Sequence, residues 1–147
     1  MRNFFICTAI ILSLAGGVPP AAIAQSSGRI TVSVSGLHSD EGVVRCGLYD
    51  SAEKFRKPGQ EVRGVVARPD GQRAACVFNG IPAGAYAVAV FHAEKNETKL
   101  EYGMFGKPKQ GYGFSRNPSS TFGPPNFDAA VFNYAGGNQT LPVTLQY

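Results

Sequence analysis

The eight residues from Ala85 to His92 constrain this chain more than any other stretch. Tyr86, Val88, Val90 and His92 alternate with Ala85, Ala87, Ala89 and Phe91. That is the period of a β-strand, whose successive side chains point to opposite faces. Both sets are dominated by apolar residues. A strand with one face in water alternates apolar with polar, so this one belongs inside a sheet and needs cover on both sides. A second sheet supplies one layer. The other is expected from the long segment that follows, where Tyr102, Phe105, Tyr112, Phe114 and Phe122 are spread among Gly and Pro. Its breakers exclude a regular element and its rings exclude a free linker. It reads as a loop packed onto the sheet, with the small Ala side chains leaving room for its rings. Ahead of the strand, Ile81-Pro82-Ala83-Gly84 places Pro and Gly at the second and fourth positions of a type I turn, and Gly80 can take a left-handed conformation.

The other strands follow from the same alternation. Arg29–Ser35 puts Ile30, Val32 and Val34 on one face, and Val43–Tyr49 does the same with Val44, Cys46 and Leu48. Turn residues between them suggest a hairpin. Val62–Ala67 is shorter and more polar, with Arg63 inside it and Arg68 just beyond, as edge strands often are. Ala74–Asn79 carries Cys76 and Phe78 on one face, after the turn Pro69-Asp70-Gly71. Ala129–Tyr134 and Thr140–Tyr147 complete the set, and residues 50–55 read as a single helical turn. About seven strands with hardly any helix indicate an all-β, antiparallel two-sheet sandwich. The connection from Ala93 to Asn126 breaks the spacing, and a loop that long in a compact domain is usually functional.

Residues 1–24 read as a signal peptide. Arg2 precedes an apolar run from Phe4 to Leu14, and Ala22-Ile23-Ala24 supplies a small-x-small cleavage pattern ahead of Gln25. The run is shorter than the roughly 20 residues of a membrane helix, so no transmembrane anchor is expected after cleavage. Residues 25–147 are then one exported domain, periplasmic or extracellular. The formal net charge of +4 is mild, and one unit of it is Arg2. It suits solubility or weak attraction to anionic envelope polymers. No basic run interleaves with aromatics, so nucleic acid is not an expected partner. Cys7 leaves with the leader. Cys46 and Cys76 remain in an oxidising compartment, on the faces shared with Leu48 and Phe78, and a bridge between strands is predicted. Two separate buried thiols are the alternative.

Residues able to carry chemistry are few. His38 and His92 are the two histidines; His38 lies in a loop two strands away, and His92 reads as a satisfied histidine at a strand end. There is no Gly-x-Ser-x-Gly, and the thiols are taken up by the bridge. Glu94, Asn96, Thr98 and Glu101 resemble a calcium loop only faintly, because Lys95 and Lys99 intrude and the bend glycine is missing. No catalytic residue, metal or cofactor is therefore assigned. The candidate binding residues are His92, Tyr112, Phe114, Arg116, Asn117 and Phe122, since loops on a rigid scaffold are where binding residues concentrate. The reading is a non-catalytic binding or interaction module of the cell envelope, its partner an envelope polymer, a glycan or a protein. The alternative is a hydrolase or metal-dependent enzyme with a site around His92 and the 93–125 loop.

Several motifs together resemble an exported bacterial family, domain of unknown function 2141. They are Val34-Ser35-Gly36-Leu37, Gly47-Leu48-Tyr49-Asp50, the run from Gly80 to His92, Gly111-Tyr112-Gly113-Phe114-Ser115 and Phe122-Gly123-Pro124-Pro125. The resemblance implies an immunoglobulin- or transthyretin-like sandwich and no settled activity. Family members often follow the histidine with an Asp-x-Asn-x-Asn-Gly-like loop. Here Ala93, Lys95 and Thr98 stand at its Asp, first Asn and Gly positions, so a metal role does not carry over. The chain is also similar to transthyretin-like hydrolases, but it ends Leu145-Gln146-Tyr147 where they carry Tyr-Arg-Gly-Ser.

Overall fold

The computed structural model describes residues 27–147, so the leader expected at 1–24 lies outside the described residues. Among the described residues eight strands and one short α-helix follow in chain order: β1 Ser27–Ser35, β2 Val43–Tyr49, β3 Arg63–Ala67, β4 Ala74–Pro82, β5 Gly84–Ala93, β6 Tyr112–Phe114, α1 Phe127–Ala130, β7 Phe132–Tyr134 and β8 Asn138–Thr144, with a 3-10 turn at Met104–Gly106 between β5 and β6. One sheet has the order β4-β1-β8; the other runs β3-β2-β5-β6, with β7 also pairing β5. The two sheets form an all-β sandwich. Pairing is antiparallel apart from β1 with β8, which is parallel. Among the described residues no helix is long and apolar enough to cross a membrane.

The main core lies between the sheets and obeys the period of two read from the sequence. Ile30, Val32 and Val34 of β1 and Cys76 and Phe78 of β4 meet Val44, Cys46 and Leu48 of β2 and Val88 and Val90 of β5. Cys46 and Cys76 are bonded at 2.06 Å, which ties β2 of one sheet to β4 of the other through this core.

Four local expectations are corrected. β1 and β2 form no hairpin: β1 pairs with β4 and β8, and β2 with β3 and β5. Alternation says which face of a strand is apolar. It does not say whether the next strand lies beside it or across the core, and here the 36–42 connection crosses. At the 81–84 turn, Ile81 and Pro82 remain in β4, opposite Gly28 and Ser27, and only Ala83 separates β4 from β5. The chain passes between sheets at that residue. Gly80 does take a positive φ of 68°, next to the register shift at Gly28/Arg29, as a β-bulge that re-aims a strand requires. The predicted strand 129–134 is instead α1 followed by the three-residue β7, because Asn126 caps the turn by accepting the Ala129 N–H at 3.0 Å. Finally, β8 stops at Thr144. Beyond it Leu145 N–H donates to Ser35 in one sheet at 2.9 Å, while Gln146 exchanges bonds of 2.8 and 2.9 Å with Tyr112 in the other.

The long segment after β5 is more ordered than a loop laid on the sheet. Its residues Tyr112–Phe114 enter the sheet as β6, with Phe114 opposite Ala89 and Tyr112 opposite Phe91. Cover for the outer face comes from a second core of Tyr49, Phe55, Ala87, Phe114 and Ala130. Phe55 reaches it from the 51–56 turn, where its N–H donates to Ser51 at 3.1 Å. Ser115, fully buried, accepts the Val88 N–H at 2.9 Å and donates to the Ala130 carbonyl at 2.6 Å, pinning α1 to β5. Two glycines permit this packing. A Cβ on Gly113 would stand 2.7 Å from Val143 of the facing sheet, and one on Gly111 would enter the Tyr147 ring.

Candidate functional site

The register of the five-stranded sheet stacks its outward residues into rungs. One rung runs Val66, Arg45, Phe91 and Tyr112; the next runs Gly64, Gly47, Ala89 and Phe114. The second is nearly bare of side chains at its first three positions. It makes a trough between bulkier neighbours, the floor of a groove of about 270 Å³. Leu100, Tyr102 and Pro108 of the long segment line the groove, together with Arg56, Pro58 and Glu61, which lead into β3. Tyr49 leans over the floor, since a Cβ on Gly47 would stand 2.9 Å from its ring.

The charges around the groove are unequal. Arg45, Arg56 and Lys99 line it, with Glu61 as the single carboxylate. Arg45 is half-buried, and its Nε donates to the Glu97 carbonyl at 2.7 Å. Among the described residues, none of the three cations has a carboxylate within ion-pair distance. Arg56 is exposed, with its guanidinium 5.9 Å from the Phe55 ring centre. Burial, with a further push from Glu61, raises the Tyr49 hydroxyl to about 12, so it is neutral at physiological pH.

A second polar cluster surrounds His92. The ring is fully buried, with Nε2 2.8 Å from the Glu41 carbonyl and Nδ1 2.9 Å from the Tyr147 hydroxyl. A carbonyl only accepts, so Nε2 carries the proton, and in the neutral ring Nδ1 accepts from Tyr147. The same hydroxyl accepts the His38 N–H at 3.1 Å, and the His38 ring stacks on Tyr147 at 3.5 Å. Burial raises the Tyr147 pKa, the His38 amide opposes the rise and Glu94 adds to it. Glu94 lies 3.8 Å from Nδ1 and accepts from Ser39 at 2.7 Å. The two histidines, with β2, β3 and β4 between them in sequence, are thus joined through one tyrosine. The arrangement clasps the 38–41 loop, the end of β5 and the chain's last residue together, and it leaves neither His92 ring nitrogen free for a substrate. Among the described residues no three His, Cys, Asp or Glu side chains are grouped so as to hold a metal ion.

The six sequence candidates therefore part company. Tyr112 and Phe114 line the groove, and Phe114 also fills the second core. His92 belongs to the buried clasp. Arg116 reaches the Val131 carbonyl at 3.3 Å. Asn117 accepts the Thr144 N–H at 2.8 Å and donates to Pro142 at 3.3 Å, tying the loop to β8. Phe122 is fully exposed, as are Met104 and Phe105 nearly so. Sequence reasoning missed Arg45, Arg56, Lys99 and the small residues of the floor. Alternation already turned Arg45 and Gly47 away from the core. That Gly64, Gly47 and Ala89 share a rung depends on strand register, which no local pattern carries.

A family model described as "Uncharacterized protein conserved in bacteria (DUF2141)" matches residues 32–142. The match runs from β1 into β8 and contains every groove residue named above. No curated protein and no solved structure matches the chain.

Proposed function

The chain belongs to this bacterial family, and from that premise we propose that it is an exported, non-catalytic binding module of the cell envelope whose site is the groove on the outer face of the five-stranded sheet. The observation that carries the reading is the bare Gly64–Gly47–Ala89 rung between walls of Leu, Pro and aromatic side chains. Concave, mostly apolar clefts with a few placed polar groups are where proteins hold small ligands. The groove lacks a nucleophile with an adjacent base, which acyl or phosphoryl chemistry would need. Export is supported by the leader pattern at 1–24 and by the Cys46–Cys76 bridge, a bond favoured in oxidising compartments.

Titration with 1-octanol, followed by amide NMR shifts, tests the site. Saturable shifts are expected at residues 45–49, 64–66, 89–91 and 98–102. Gly64→Phe should abolish them by filling the trough. Gly64 lies outside the left-handed region, and the nearest atom to an added Cβ is the mobile end of Glu61 at 3.3 Å, so the variant should fold. Shifts scattered elsewhere, or unchanged in Gly64→Phe, overturn the assignment.

A further inference from the structure

We propose that the groove selects a small amphipathic carboxylate, its apolar body on the Gly64–Gly47–Ala89 floor and its carboxylate on the Arg45 guanidinium; this rests on the groove being the binding site. Arg45 carries the inference. Its Nε is held by the Glu97 carbonyl at 2.7 Å, while among the described residues its two terminal amino groups have no hydrogen-bond partner. A guanidinium oriented in this way presents a fork matched to the two oxygens of a carboxylate. Because Arg45 is half-buried, that contact is less screened than one at an open surface. Arg56 and Lys99 add positive charge around the same groove against Glu61 alone, which disfavours a cationic ligand.

The remaining lining argues against a sugar chain. A glycan displays hydroxyls on every side and needs a matching set of side-chain amides and carboxylates, since a polar group buried without a partner is costly. Against that need the groove offers the single carboxylate of Glu61 and no Asn, Gln or Asp. Leu100, Phe91, Tyr102, Tyr112 and Pro108 instead offer apolar contact. At about 270 Å³ the space lies just below the usual range for drug-sized ligands, roughly 300–1,000 Å³. It suits a short acyl chain or a single ring system.

Calorimetric titration of the purified protein with octanoate, 1-octanol and octylammonium separates the two readings, because the three probes share one apolar body. Octanoate is expected to bind about tenfold tighter than 1-octanol, with octylammonium weakest. Equal or tighter binding of 1-octanol overturns the carboxylate inference and leaves the groove standing. Binding of none of the three overturns the groove itself. Arg45→Gln should bring octanoate down to the affinity of 1-octanol while leaving 1-octanol unchanged; an intact preference for octanoate in that variant overturns the role of Arg45. If Arg45→Gln loses 1-octanol as well, Arg45→Lys decides, since it keeps the charge and loses the fork. It should retain 1-octanol and bind octanoate roughly threefold more weakly than wild type. Undiminished octanoate binding there refutes recognition by the fork.

Discussion

Replacing Phe114 by Ala tests whether the segment after β5 is built into the fold or merely rests against it. The Phe114 side chain is 5 % exposed. Its ring centre lies 5.8 Å from Phe55 and 5.9 Å from Tyr112, and Phe55 in turn meets Tyr49 at 5.6 Å and Phe127 at 5.7 Å. Truncating a buried Phe to Ala costs about 3–5 kcal/mol. The second core sits on the outer face, where the 51–56 turn and α1 can partly close the gap, so the lower end, about 3 kcal/mol, applies. For a domain of this size each kcal/mol shifts Tm by roughly 3–5 °C, which sets the expected drop at about 10–15 °C. Phe122→Ala and Arg116→Ala are the controls. Both side chains are exposed, and surface changes usually stay within roughly 0.5 kcal/mol, or about 2 °C. Thermal melts by circular dichroism give the comparison. Hydrogen exchange should show the loss first at the amides held by Ser115 and α1. A Phe114→Ala protein that melts within about 2 °C of wild type refutes the packing argument, as does a Phe122→Ala protein that falls as far as Phe114→Ala.

Reduction, or the paired Cys46→Ala and Cys76→Ala change, frees a loop with a sequence separation of 30. The expected loss is about 3.5 kcal/mol by the chain-entropy relation, read as a lower urea midpoint than the oxidised protein shows. Tyr49 makes the fold sensitive to alkali. Its hydroxyl is raised to about 12 from the ordinary 10.0, so the neutral form stabilises the fold below pH 10 and that stabilisation fades as pH rises through 12. The full effect is about 3 kcal/mol. Tyr49→Phe should flatten this decline while leaving the melt at pH 7 little changed; an equally steep decline in the variant would contradict the assignment. Tyr147→Phe removes the donor to buried His92 and should cost about 1–2 kcal/mol, visible as a lower Tm and faster exchange in the 38–41 loop. Mass spectrometry of the exported fraction should find a chain beginning at Gln25; intact Met1–Ala24 in a cytosolic product would refute the leader.

The division between sequence and structure runs along the difference between local and non-local information. Alternation of period two placed Ile30, Val32, Val34, Val44, Cys46, Leu48, Cys76, Phe78, Val88 and Val90 on inward faces, because a strand's side chains alternate whatever its neighbours are. The doubly apolar strand at 85–92 demanded cover on both sides, and the second core around Phe114 and Phe55 supplies it. The Cys46–Cys76 bridge was legible from two cysteines sharing apolar faces. What local pattern could not carry was partner choice. The 36–42 connection takes the chain across the sandwich instead of into a hairpin, and the parallel pairing of β1 with β8 joins residues more than a hundred apart in sequence. The groove is the plainest case. Gly47, Gly64 and Ala89 are unremarkable singly. They become a floor because antiparallel register sets them side by side, and a shift of one residue would turn them to the opposite face. His38, Tyr147 and His92 likewise meet only once the chain's last residue is drawn down onto Gly111 beside β6. Propensity and patterning determined β1 to β5 and their buried faces, though not β6 or the turn of helix ahead of β7. Register and crossings, set by packing between distant segments, decided which side chains would stand together.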